Sequence, residues 1–351
     1  MTDANALLQL VPKAEGRQSM KDFKSDQEVR WCPGCGDYAV LAAVQGFMPQ
    51  LGLAKENIVF VSGIGCSSRF PYYMNTYGMH SIHGRAPPSP PASPPHAATC
   101  PSGSSPATAT PSPSAATTSS TPCAATSTSR SSSSTTGSTA SPKASTAPPP
   151  KSARSPNPPR WAPRRPFNPV SLAIGAEASF VARTVDSDRK HLTEVLRQAA
   201  DHPGTALVEI YQNCNIFNDG AFDVLKDRQQ AEEAVIRLEH GQPIRFGTDG
   251  TKGVVRDPAT GDLTIVTVTA ANKADILVHD AHRTSPTTAF ALSRLADPDT
   301  LHNTPIGVFR SVDRPVYDTL MTDQLDTALE QQGKGDLSTL LAGADTWTVV
   351  G

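Results

Sequence analysis

The chain predicts an α/β fold with a parallel sheet, interrupted by one long low-complexity segment and followed by a C-terminal extension. Three observations predict it. Short, largely apolar runs such as Ile58-Val59-Phe60-Val61 and Ala206-Leu207-Val208-Glu209-Ile210 alternate with helix-period segments. Polar loops follow those runs, where parallel sheets place their sites. Between the two halves, residues 87–166 contain no Asp, Glu, Ile, Leu, Val, Met, Phe or Tyr, yet hold 20 of the 32 Pro.

The elements follow in order. Residues 1–26 form an N-terminal tail. In the first folded part, 27–87, Asp37 is placed to cap a helix whose apolar face is Val40, Val44, Phe47, Met48 and Leu51. Gly52 ends it and Pro49 weakens its last turn. The strand beginning at Ile58 runs into the loop Ser62-Gly63-Ile64-Gly65-Cys66-Ser67-Ser68-Arg69. The segment 88–165 buries almost no apolar area, so it cannot offset ~1–2 kcal/mol per residue of backbone ordering; it is expected to be disordered. In the second part, 166–228, a helix over 171–178 and a strand over 180–184 precede a helix lined by Leu192, Val195, Leu196 and Ala199. That helix stops before Pro203-Gly204, and the strand 206–210 follows. The extension, 229–351, opens with a charged helix over 229–239. Strands are expected near 243–247, 263–268, 275–279 and 306–309, and a helix over 286–295. No internal repeat is present.

Composition excludes some functions. Lys and Arg number 31 against 33 Asp and Glu, a net charge of −2, which gives no support for a nucleic-acid binder running on bulk charge. No apolar run approaches the ~18 residues of a membrane span. The first 18 residues lack the apolar core of a secretion signal, which favours the cytoplasm. Six Cys in that compartment read as metal ligands or reactive thiols.

Cys100 and Cys123 lie in the biased segment. The other four sit in loops: Cys32 and Cys35 in Trp31-Cys32-Pro33-Gly34-Cys35-Gly36, Cys66 after the first strand, and Cys214 in Tyr211-Gln212-Asn213-Cys214-Asn215. Two intervening residues let Cys32 and Cys35 reach one metal centre, and Pro-Gly makes a tight turn between them. Loops leaving one edge of a parallel sheet can converge, which brings Cys66 and Cys214 into the same set. A redox pair of the thioredoxin kind is less favoured, because the pair should then open a helix directly after a strand. Spacing leaves zinc and an iron–sulfur cluster both open. His80-Ser81-Ile82-His83-Gly84-Arg85-Ala86 is anion-friendly, with a close-approach glycine beside Arg85 and His83, though a solvated surface turn has the same look. His279-Asp280-Ala281-His282 reads as ordinary polar residues at a strand end.

Together these stretches resemble the β subunit of the 2-oxoacid:ferredoxin oxidoreductases, most like the 2-oxoglutarate enzymes. The similarity is carried by Trp31-Cys-Pro-Gly-Cys-Gly-Asp37, Ser62-Gly-Ile-Gly-Cys-Ser-Ser-Arg-Phe-Pro-Tyr72, His80-Ser-Ile-His-Gly-Arg-Ala86, Pro166-Phe-Asn-Pro-Val170 and Asn213-Cys-Asn-Ile-Phe-Asn218. The resemblance implies the thiamine-diphosphate-binding fold and one [4Fe-4S] cluster on Cys32, Cys35, Cys66 and Cys214. It implies thiamine diphosphate contacts from Ile64, Gly65, Cys66, Ser67, His83, Gly84 and Arg85, and a substrate-carboxylate contact from Arg69. It implies oxidative decarboxylation of a 2-oxo acid to an acyl-coenzyme A, electrons leaving through the cluster to ferredoxin, and an α subunit as partner.

The family next expects Gly-Asp-Gly-Asp and Asn-Asn, whose Asp and Asn hold Mg²⁺ on the diphosphate. Counting from the flank, these fall on Ala107-Thr108-Ala109-Thr110 and Thr135-Thr136. Thr108 and Thr136 therefore occupy the metal positions, and a neutral alcohol poorly replaces a carboxylate on Mg²⁺. Family-like sequence read one nucleotide late in GC-rich codons gives Pro-Ser-Pro-Pro-Ala-Ser-Pro, as stands at residues 88–94. Residues 88–165 are thus expected to be an out-of-frame translation between two compensating frameshifts, a genuine Pro/Ser/Thr/Ala-rich linker being the alternative. A rival reading keeps the four cysteines but makes the chain a non-catalytic metal-binding or assembly subunit.

Overall fold

The computed structural model describes residues 13–82, 168–216, 219–315 and 317–343, with Trp347 and the backbone of Cys123–Ser127 besides. In the first part, helix α1 (Asp37–Leu51) is followed by strands β1 (Val59–Ser62) and β2 (Tyr77–His80), which pair in parallel. α1 buries Val40, Leu41, Val44, Phe47 and Met48 and ends at Gly52, whose φ of 63° is the left-handed stop expected of it. The helix continues through Pro49 to Leu51. One expectation is corrected at its start: Gly36 is the N-cap, and Asp37 is the first helical residue with its carboxylate turned to the Cys35 thiol. Between the two strands a 3-10 helix, Ser67–Tyr73, closes the glycine-rich loop.

The main sheet has the order β3-β5-β4-β10-β6. Its strands are β3 (Cys123–Ser127), β4 (Phe180–Val185), β5 (Thr205–Tyr211), β6 (Val235–Leu238) and β10 (Thr304–Ser311). β3, β5 and β4 run parallel; β10 is antiparallel to β4 and parallel to β6. Every residue of β4 is buried, so both faces of the sheet are covered. On one face, α1 and α3 (Arg189–Asp201) pack over Phe180, Ala182, Ala206 and Val208. On the other, α2 (Pro169–Gly175) and α6 (Thr287–Ser293) pack over Val181, Ile236 and Phe309. Asn168 starts α2 by accepting from Ser171 N at 3.0 Å, with Pro169 at the first helical position.

In the extension, α4 (Asp223–Lys226) and α5 (Arg228–Ala234) precede β6, and a small antiparallel sheet is made of β7 (Arg245–Phe246), β8 (Lys252–Arg256) and β9 (Leu263–Thr267). The charged helix expected over 229–239 stops at Ala234, because Val235-Ile236-Arg237-Leu238 pairs with β10 instead. The strand expected over 275–279 is reduced to single bridges at Ile276 and Val278 after a 3-10 turn. The last described helices are α7 (Tyr317–Gln332) and α8 (Leu337–Ala342), which lie outside the elements expected from the pattern.

Of the biased segment only Cys123–Ser127 is described, and there the backbone is extended and pairs as an edge strand with β5. A sheet edge offers a row of N–H and C=O groups that any extended backbone can satisfy, whatever its side chains. The remainder of 88–165, including Thr108 and Thr136, lies outside the described residues.

Two buried charges sit at the sheet's centre. Arg183 on β4 faces Glu209 on β5 in register, Nε to Oε2 at 2.6 Å, with both side chains 1% exposed. The guanidinium also lies 5.1 Å from the ring centre of Tyr211.

Candidate functional site

Cys32, Pro33, Gly34 and Cys35 form a turn closed by Cys35 N–H donating to Cys32 O at 3.0 Å. Gly34 stands at φ 83°, a conformation the third position of a Pro-Gly turn requires. The Cys66 loop leaves β1, and Cys214 follows β5. These strands belong to separate sheets among the described residues, so convergence on one sheet edge is not what joins the loops. Specific contacts do. Trp31 is buried against Tyr73 and Tyr38, and its indole N–H donates to Cys66 O at 2.7 Å. Gly36 N–H donates to Asn213 O at 3.0 Å. The fully buried Gln212 donates from Nε2 to Cys35 Sγ at 3.1 Å, and Asn215 donates to Pro33 O.

Gly36 is needed by space. A Cβ there would overlap the Asp186 carboxylate and come within 2.8 Å of Gln212 Cγ and 3.0 Å of Asn213 N. Asp186 is itself buried, accepts from Asn213 N at 2.9 Å and pairs with Lys226 at 3.2 Å. Trp31, Asp186 and Gln212 were not marked as site residues from sequence. Trp31 and Gln212 stand directly beside the cysteine motifs, which was the available signal; Asp186 carried none.

All four thiols are free, Cys32 and Cys66 exposed and Cys35 and Cys214 partly so. Burial, and next the Asp37 carboxylate, push the Cys35 thiol up to about 12. Burial raises Cys66 too, followed by Cys214, Asp37 and Cys32, while Arg69 pulls it down. The thiols thus lie within electrostatic reach of one another. Asp37, 3% exposed, is pushed up to about 7 by burial foremost and by Asp186. Buried polar atoms without a hydrogen-bond partner gather here: Ser68 Oγ, Gln212 Oε1 and Asn215 Oδ1. Among the described residues no three His, Cys, Asp or Glu side chains close on a single ion.

Ile64 is exposed, Gly65 has φ 120° and Ser67 is buried, so the expected cofactor loop lies beside Cys66. Arg69 is exposed and donates to Arg30 O at 3.1 Å. His80 Nδ1 is 2.8 Å from Ser62 Oγ, and Ser81 N–H donates to Ser62 O at 2.8 Å, fixing the chain just before the basic run. His83, Gly84 and Arg85 lie outside the described residues. His279 Nε2 and His282 Nδ1 are taken by the carbonyls of Val308 and Ser311. No helix among the described residues is long and apolar enough to cross a membrane.

The chain is 47% identical over 351 residues to the 2-oxoglutarate oxidoreductase subunit KorB of Mycobacterium tuberculosis, covering 97% of this chain and 91% of that one. The chain belongs to the β subunits of the 2-oxoacid:ferredoxin oxidoreductases. It is an oxidoreductase component. A second relative, subunit beta of 2-oxoacid:ferredoxin oxidoreductase 2 from Aeropyrum pernix, is 30% identical over 211 residues, 58% of this chain and 66% of that one. A solved 2-oxoglutarate:ferredoxin oxidoreductase from Magnetococcus marinus, with 2-oxoglutarate, coenzyme A and succinyl-CoA bound, shares the fold. Its TM-score is 0.61 at 20% identity, over 96% of this chain and all of that one. No family model matches.

Proposed function

We propose that this β subunit serves a 2-oxoglutarate:ferredoxin oxidoreductase, holding one [4Fe-4S] cluster on Cys32, Cys35, Cys66 and Cys214. The observation that carries the proposal is the joining of three loops, distant in sequence, through Trp31, Gly36, Gln212 and Asn215 around those thiols. The family resemblance, rather than the spacing of the thiols, favours an iron–sulfur cluster over a single zinc at these positions. When bound, the cluster supplies one-electron transfer to ferredoxin, and thiamine diphosphate supplies the electron sink for decarboxylation. Trp31 and Gln212 position the sulfur-bearing loops, and burial near Asp37 sets the polarity around Cys35. Ile64, Gly65 and Ser67, with His83, Gly84 and Arg85, are assigned to the thiamine site, and Arg69 to the substrate carboxylate. An α subunit completes the enzyme in the cytoplasm, with coenzyme A as acyl acceptor.

The test is anaerobic reconstitution with the α subunit. Visible iron–sulfur absorbance is expected of this chain, and coenzyme A-dependent ferredoxin reduction with 2-oxoglutarate is expected of the chain whose segment 88–165 is read in the restored frame; a colourless, iron-free chain overturns the assignment.

The rival reading, a non-catalytic four-cysteine subunit, draws on one observation: Thr108 and Thr136 stand where Mg²⁺ needs Asp and Asn. The residues of this exact sequence do not fit Mg²⁺-diphosphate, so calorimetry should find no tight thiamine diphosphate binding to it. The nucleotide sequence across codons 85–168 decides between a broken gene and a misread one. A single intact frame with no indel relative to close relatives removes the frameshift.

A further inference from the structure

We propose that Gln212 raises the reduction potential of the iron–sulfur cluster by donating an amide hydrogen bond to the sulfur of Cys35, a role that rests on the four-cysteine assignment above. Gln212 Nε2 lies 3.1 Å from Cys35 Sγ, across 177 positions of chain. The same Nε2 donates to the Asn213 carbonyl oxygen at 2.8 Å. That second contact fixes which way the amide points, because an oxygen in its place would face another oxygen. The two amide hydrogens are therefore committed, one to the Cys214 loop and one to a sulfur of a different loop.

Tying loops together does not by itself explain an amide here. Gln212 is 0% exposed, and its Oε1 has no hydrogen-bond partner. A buried carbonyl left unpaired is costly, and a methionine of similar length fills the same space without it. The Asn213 carbonyl already accepts from Gly36 N at 3.0 Å, so it does not need Gln212 as its donor. The hydrogen that only the amide supplies is the one on Cys35.

Cys35 has a second polar neighbour. Its thiol donates to Asp37 Oδ2 at 3.6 Å. That contact ends when iron takes the place of the thiol proton. The Gln212 contact survives, since the sulfur is its acceptor, and it strengthens as the sulfur gains negative charge. Reduction places one more electron on the cluster and its thiolates. A fixed donor on a thiolate therefore favours the reduced form and raises the potential. Hydrogen bonds to sulfur and exclusion of water are general levers on such clusters, and a fully buried amide supplies both.

The full chain, reconstituted anaerobically, is titrated against redox dyes and followed by the electron paramagnetic resonance of the reduced cluster. Gln212→Met should load iron to within about twofold of the parent and disfavour reduction by about tenfold or more, which is a midpoint lower by about 59 mV for one electron. Trp31→Phe removes a donor to the Cys66 backbone rather than to a sulfur. It should lose iron faster and leave the midpoint in place. In the unaltered chain, glutamine carrying heavy nitrogen in its side-chain amide should show a hyperfine coupling to the reduced cluster. Should Gln212→Met not load, that label decides alone. An unmoved midpoint in loaded Gln212→Met, equal shifts in both variants, or no coupling from the label overturns the role of Gln212 and leaves the four-cysteine assignment standing. An iron-free unaltered chain overturns that assignment, and this proposal with it.

Discussion

Replacing Gly36 by alanine tests whether the contact between the Cys32–Cys35 turn and the Cys214 loop is set by a missing side chain. The new methyl overlaps the Asp186 carboxylate and meets Gln212 Cγ at 2.8 Å and Asn213 N at 3.0 Å, where ~3.5–4.0 Å is comfortable for carbon contacts. Asp186 cannot simply swing away, because it is buried between Asn213 N and Lys226. The strain must be relieved by moving the Asn213 segment, which breaks the 3.0 Å bond from Gly36 N and carries Cys214 with it. Overpacking of this kind costs about 1–3 kcal/mol. We expect an unfolding free energy from urea titration lower by that amount and iron content per chain cut at least by about half after anaerobic reconstitution. Gly46→Ala is the control: it lies at an exposed position of α1 with nothing within 4 Å of its Cβ, and it should stabilise by about 0.5–1 kcal/mol. A Gly36→Ala chain with normal iron content refutes the geometric argument, even if its stability falls.

Other perturbations separate scaffold from site. Arg183→Met leaves the Glu209 carboxylate deep in the sheet, so denaturation should report a loss of about 3–5 kcal/mol; a loss under about 1 kcal/mol contradicts the burial described. Trp31→Phe keeps the ring packing but removes the donor to Cys66 O, and should cost about 1–2 kcal/mol together with faster iron loss to a chelator. Burial, and then Arg237, hold His191 at about 4, below its ordinary value of 6.5. A depressed histidine stabilises the fold above the unfolded value, and that contribution is lost as pH falls from about 6.5 towards 4. Between pH 8 and pH 5 it amounts to about 2 kcal/mol. His191→Gln should flatten that part of the stability profile, and an unchanged profile would show that His191 titrates normally.

The sequence made the paired elements legible where local pattern and packing agree. Leu192, Val195, Leu196 and Ala199 line α3 at helical spacing, and those four are its buried residues. It was least informative where pairing partners decide. Val235–Leu238 continues a helix-like charge pattern but is drawn into β10 by a strand some seventy residues later. The cysteines were visible because each stands in a distinctive loop. Their supports were not, because an interior aspartate such as Asp186 announces itself only by what it touches. The terminal helices escaped because their leucines are not buried, and the 3-10 helix after Cys66 because what it buries is mostly serine and proline, which sets up no apolar period.

Cys35 and Gln212 are 177 positions apart, and Pro33 and Asn215 are 182 apart. Closing a loop of that length costs roughly 4–5 kcal/mol in the simplest logarithmic form. During synthesis the first three thiols leave the ribosome well before β5 exists to bring the fourth. A nascent chain therefore presents an incomplete set of donors for most of its translation. On the proposed four-thiol assignment, insertion of the cluster is a late step, taken only after β5 has delivered Cys214 to the other three.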